Sequence, residues 1–93
     1  MRKGSTGNKE KKMDGMSHAM AVKRELATAI ERCMRSEGLS KPRMARRMGT
    51  SRSQLDRVLD PKCVAIQLDT LVRAALAVGR NLEIQFHSRT AGS

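Results

Sequence analysis

The sequence predicts a mainly α domain: four helices, a C-terminal β-strand and a disordered N-terminal tail. Three observations carry that reading. Apolar residues recur at helical spacing from Ala19 to Val78. The helical stretches are punctuated by Gly38, Gly49, Pro61 and Gly79. The spacing then changes to two, with Leu82, Ile84 and Phe86 alternating with Asn81, Glu83 and Gln85.

Residues 1–18 are expected to be a disordered basic tail, because they hold three of the seven glycines and four lysines and show no apolar period. Such a tail either embraces a duplex as a basic arm or is inert, with the inert reading favoured. The domain proper is expected over 19–79. In its first helix, Val22, Leu26, Ala29, Ile30, Cys33 and Met34 form an apolar stripe, Glu31 and Arg35 an i,i+4 pair in the favourable order, and Gly38 the stop. Cys33 lies on the stripe and reads as a small core hydrophobe.

Ser40 is a good N-cap, and Pro42 is tolerated in the first turn, where a missing N–H costs nothing. A second helix therefore runs Lys41 to Met48, with Met44, Ala45 and Met48 inward and Arg43, Arg46 and Arg47 outward. Gly49 stops it, and Ser51 caps a third helix from Arg52 to Leu59, which buries Leu55, Val58 and Leu59. Asp60-Pro61 ends that helix, and Val64–Ile66 is a candidate for a brief extended piece. The fourth helix, Leu68 to Val78, carries Leu68, Leu71, Val72, Ala75 and Leu76 on one face. Residues 80–87 are the expected strand, and 88–93 a short tail.

The charge is large and uneven. The 93 residues carry a formal net charge of +10. Between positions 40 and 59, Lys41, Arg43, Arg46, Arg47, Arg52 and Arg57 face a single acid, Asp56. Such a cluster repels itself and so points to a polyanionic partner. With one aromatic residue, Phe86, the chain cannot stack successive bases as single-strand binders do. The longest apolar run, Ala74 to Val78, is too short to cross a bilayer, and the basic start has no apolar stretch behind it, so a secretory signal is not expected. Cys33 and Cys63 lack metal-ligand spacing and fit a reducing, cytoplasmic setting, while His18 and His87 are too far apart in sequence to suggest a metal site. No nucleophile–base arrangement or phosphate loop is evident, so neither an enzyme nor a cofactor is expected.

Two short helices joined by a tight glycine-containing turn, flanked by bases, are the signature of a helix-turn-helix. The stretch GLSKPRMARRMGTSRSQLDRVLD resembles the phage-repressor-like helix-turn-helix family, of the XRE or Cro type. The matching residues are Leu39-Ser40, Met44-Ala45, Met48-Gly49, Ser51 and Leu55. Thr50 departs from the pattern, standing where an aliphatic residue is usual. The stretch LDTLVRAALAVGRNLEIQF looks like small members that act as antitoxins of the HigA type.

The third helix is divided as a groove-reading helix must be, with Leu55, Val58 and Leu59 on one side and Arg52, Ser53, Asp56 and Arg57 on the other. The resemblance implies base reading from Arg52, Ser53 and Arg57, with Gln54 near the backbone. Asp56 would either accept from a cytosine amino group or orient Arg52, and the orienting role is favoured because an unpaired carboxylate beside phosphates is costly. Lys41 and Arg43 at the start of the second helix, with Ser40, Arg46, Arg47 and Ser51, are the expected phosphate-positioning set.

The expected function is a repressor that reads palindromic double-stranded DNA as a homodimer. The alternatives are an antitoxin that also represses its own operon and, less favoured, a general RNA- or ribosome-binding protein. Leu82, Ile84 and Phe86 need a cover. The strand that carries them would pair with its copy, with Val64–Ile66 in cis, or with a toxin; pairing between copies is favoured.

Overall fold

In the computed structural model, which describes residues 15–88, four helices follow one another: α1 (Gly15–Glu37), α2 (Lys41–Met48), α3 (Arg52–Leu59) and α4 (Leu68–Ala77). The bounds of α2 and α3 are those expected. α1 starts ahead of Ala19, so Gly15–His18, expected in the tail, are helical. The rest of the expected N-terminal tail, and residues 89–93 of the C-terminal one, lie outside the described residues.

One core joins the four helices. Met44 from α2, Leu55 and Val58 from α3, and Val78 just after α4 are fully enclosed. Ile30, Met34, Leu39, Ala45, Met48, Ala74 and Ala77 complete the cluster, with Cys33, Leu59 and Ile66 packed against it. Burying side chains of this size contributes roughly 1.5–3 kcal/mol each, which is what holds two helices too short to persist alone. α2 and α3 pack on each other, α1 packs on α3, and α4 packs on both α2 and α3.

Two helices are rotated from the face expected. On α1 the buried residues are Lys23, Ala27, Ile30 and Met34, while Val22 and Ala29 are exposed and Leu26 is half-buried. The inward stripe therefore begins with a lysine, which no hydrophobicity pattern selects. On α4 the buried residues are Thr70, Ala74, Ala75 and Ala77, whereas Leu68 and Leu76 are 58% and 57% exposed. The most apolar stripe of α4 is thus not its core face. Small side chains let α4 approach the bulky Met44 and Met48 of α2, and large-against-small packing wins over the larger leucines.

The expected C-terminal strand does not form, and the described residues contain no strand at all. A strand exists through hydrogen bonds to a neighbour, and neither Val64–Ile66 nor any other described segment supplies that ladder. Within the segment Leu82 is half-buried, while Ile84 and Phe86 are 66% and 96% exposed.

Candidate nucleic-acid interface

α2 and α3 are joined by a turn that only a left-handed residue completes. Gly49 sits at φ 70°, with its N–H donating to the Arg46 carbonyl (3.0 Å) and the Thr50 N–H donating to the Ala45 carbonyl (3.0 Å). A Cβ at Gly49 would meet nothing within 4 Å, so the demand for glycine there is conformational and not a matter of space. The expected departure at Thr50 is accommodated: its backbone closes the turn and its side chain is half-buried.

Serines fix both helix starts. Ser40 Oγ accepts from the Arg43 N–H (3.4 Å), and Ser51 Oγ accepts from the Gln54 N–H (3.1 Å). Both hydroxyls expected among the phosphate-positioning groups are therefore engaged as helix caps. Arg52, at the first turn of α3, projects from a helix whose opposite side, Leu55 and Val58, is fully enclosed. Ser53, Asp56 and Arg57 share its exposed side, and Gln54 is half-buried at the margin.

Asp56 links the two helices electrostatically. Its Oδ1 lies 3.9 Å from Arg52 Nε, one turn back on α3, and 3.7 Å from Lys41 Nζ at the start of α2. The expected i,i+4 pairing of Asp56 with Arg52 is present, and Lys41 joins it from the other helix. All three side chains are about half exposed, so these pairs steer direction more than they add stability.

Two arginines of the basic face are tied to backbone carbonyls. Arg47 Nη1 donates to the carbonyl of Ala77, in the last turn of α4 (3.0 Å), and Arg57 Nη2 donates to that of Ala65 in the loop after α3 (3.3 Å). Arg43 and Arg46 are exposed on the same α2 surface.

A helix-turn-helix motif consists of two short capped helices, a left-handed glycine between them, an enclosed inner face and a cationic outer one. The model of a helix-turn-helix domain family matches residues 12–87. The chain belongs to that helix-turn-helix family. No curated protein and no solved structure matches the chain.

The residue that sequence reasoning missed lies behind the helix-turn-helix. Lys23 of α1 is 3% exposed, and its Nζ donates to the carbonyls of Arg57 (2.9 Å), Val58 (2.9 Å) and Asp60 (2.7 Å). Burial pushes its pKa below the ordinary lysine value, and the nearby Cys63 and Asp60 oppose that shift. In the sequence Lys23 stands at the i, i+4, i+7, i+11 spacing of Ala27, Ile30 and Met34, but its charge takes it out of any apolar stripe. Elsewhere among the described residues, no group of three or more His, Cys, Asp or Glu could hold a metal ion, and no helix is long and apolar enough to cross a membrane.

Proposed function

We propose that this helix-turn-helix chain is a sequence-specific DNA-binding transcriptional regulator, a repressor that inserts α3 into the major groove of a palindromic operator. The observation that carries the reading is the division of α3: Leu55 and Val58 are fully enclosed, while Arg52, Ser53, Asp56 and Arg57 face outward. Arg52, set in direction by Asp56, is the principal base reader, pairing with guanine O6 and N7. Ser53 and Arg57 read neighbouring positions, and Gln54 contacts the adjoining backbone. Lys41, Arg43, Arg46 and Arg47, with the capped helix starts at Ser40 and Ser51, hold the phosphates on either side.

The repressor acts as a homodimer. Val22, Leu68, Leu76, Ile84 and Phe86 are large apolar side chains left exposed, and Leu82 beside them is half-buried. A second copy would cover them and bring two α3 helices onto successive turns of the duplex. Toxin binding, the alternative drawn from the family resemblance, would compete for the same apolar residues.

Selection of bound duplexes from a random pool tests the reading. A repeated, two-fold-symmetric sequence should emerge, and its complex should survive excess random duplex at about 150 mM salt. Enrichment of no sequence would overturn the regulator reading. Sedimentation at micromolar concentration should give a dimer, and a monomer that binds one half-site as tightly as the palindrome would overturn the dimer.

A further inference from the structure

The groove-reading helix has only eight residues, so its position depends on what holds its two ends. Ser51 holds the start. At the other end, the carbonyls of the last turn concentrate the negative end of the helix dipole; the Arg57 carbonyl accepts the Asp60 N–H (3.3 Å) and the Asp60 carbonyl the Cys63 N–H (3.1 Å), each with a second lone pair to spare. In the helix itself, Arg57 is the one base in the last turn, and its side chain turns away to Ala65. Lys23 arrives from α1 and meets the carbonyls of Arg57, Val58 and Asp60, all within 2.9 Å.

An ammonium group has three N–H donors and no acceptor. Three acceptors at bonding distance use all of them, which an uncharged amine with two N–H groups cannot do. The cost of burying the charge is offset in part by this full set of bonds and by the dipole end they touch. Two of these carbonyls belong to α3 and the third to Asp60, where the chain leaves the helix. The contact therefore fixes both the axial position of α3 against α1 and the direction in which the chain departs.

We infer that Lys23 is a positioning residue for DNA reading: its ammonium tripod clamps the C-terminal end of α3 so that Arg52, Ser53 and Arg57 meet the base edges in register. This role rests on the regulator reading above. Phosphate binding tolerates small displacements of a helix, because it depends on charge near the duplex, whereas base contacts do not. Loosening the clamp should thus cost discrimination before it costs general affinity.

The test uses the full chain, the duplex that the unaltered chain selects from a random pool, and a scrambled duplex of the same composition. Lys23→Met keeps the length of the side chain and removes every donor. Its preference for the selected duplex should fall about tenfold, the equivalent of one base contact, while its affinity for scrambled DNA and the salt slope of that affinity stay within about twofold. Ile30→Val, a core change that leaves the clamp intact, should keep the preference at a comparable loss of thermal stability. Lys23→Arg keeps the charge but offers a planar fork in place of a tripod, and should fold with an intermediate preference.

Full preference retained by a folded Lys23→Met or Lys23→Arg overturns the inference. If neither variant folds, hydrogen exchange in the unaltered chain decides: the amides of Val58 and Leu59 should be as protected as that of Leu55, and fraying there overturns the clamp. Should the unaltered chain select no sequence, the regulator reading fails and takes this one with it. Should it select one and the Lys23 variants keep it, only the clamp fails.

Discussion

Replacing Arg52 by alanine separates base reading from general attraction to DNA. The side chain is 57% exposed and its ion pair with Asp56 is long at 3.9 Å, so its removal leaves the fold almost untouched. Exposed pairs of this kind contribute about 0–1 kcal/mol. Ser51 still caps the helix, and Leu55 and Val58 still anchor it. The lost energy then falls on the complex. A bidentate arginine on guanine discriminates by about 1–3 kcal/mol, which corresponds to about a 5- to 160-fold weaker hold on the selected duplex. Removing one cation also weakens binding to every duplex, and Arg46→Ala, on the outer face of α2, measures that common part. Titrating both variants into selected and scrambled duplexes at fixed salt should show Arg52→Ala losing preference and Arg46→Ala losing affinity equally on both. Equal losses on both duplexes for Arg52→Ala would refute its assignment as a base reader.

Three further outcomes follow from the fold and from the lowered pKa of Lys23. Ser51→Ala removes the cap on the Gln54 N–H and should destabilise the chain by about 0.5–2 kcal/mol in urea titration, with an unchanged midpoint counting against a capping role. Leu55→Ala empties the centre of the core and should cost about 2–5 kcal/mol, and a loss below about 1 kcal/mol would mean that α3 is not packed as described. Because burial holds the folded Lys23 pKa below its unfolded value, the unfolded chain binds more protons between the two, and stability should rise with pH across that alkaline window. Lys23→Met should abolish this slope, and a falling slope in the unaltered chain would refute the shift.

What was legible in the sequence was whatever is decided locally. Ser40, Gly49 and Ser51 set the ends of α2 and α3 through bonds to residues three or four positions away, and those bounds were read correctly. The inward residues Met44, Ala45, Met48, Leu55 and Val58 were legible for the same reason: a helix of eight residues between polar caps has one apolar side. The longer helices offered a choice. α4 has an alanine face and a leucine face, and which turns inward depends on α2, some 30 positions away in the chain. The strand failed as a reading because alternation reports which side chains want cover and says nothing about whether a backbone partner exists. Within the candidate site, Arg52 and Asp56 were legible as an i,i+4 pair, but the ion pair of Lys41 with Asp56 and the three bonds of Lys23 join residues that only folding brings together.

Two of the basic side chains, Lys23 and Arg47, are bonded to the C-terminal ends of helices. Arg47 serves the end of α4 and Lys23 the end of α3, while Arg57 reaches the loop that follows α3. A chain with an excess of cations and short helices has both a surplus of donors and a set of carbonyls without partners, and each relieves the other. The consequence for DNA binding is a division of labour. A guanidinium already held by one carbonyl keeps its other N–H donors pointing in a set direction, so less side-chain freedom is lost when it meets a duplex. Lys41 and Arg52, sharing Asp56, are steered in the same way by weaker contacts. Arg43 and Arg46, whose side chains carry neither kind of contact among the described residues, lose more freedom on binding and provide charge without direction. On α2, then, Lys41 and Arg47 are directed while Arg43 and Arg46 are not, and in the proposed complex the directed groups are the ones suited to fixing register and the undirected ones to adding charge near the phosphates.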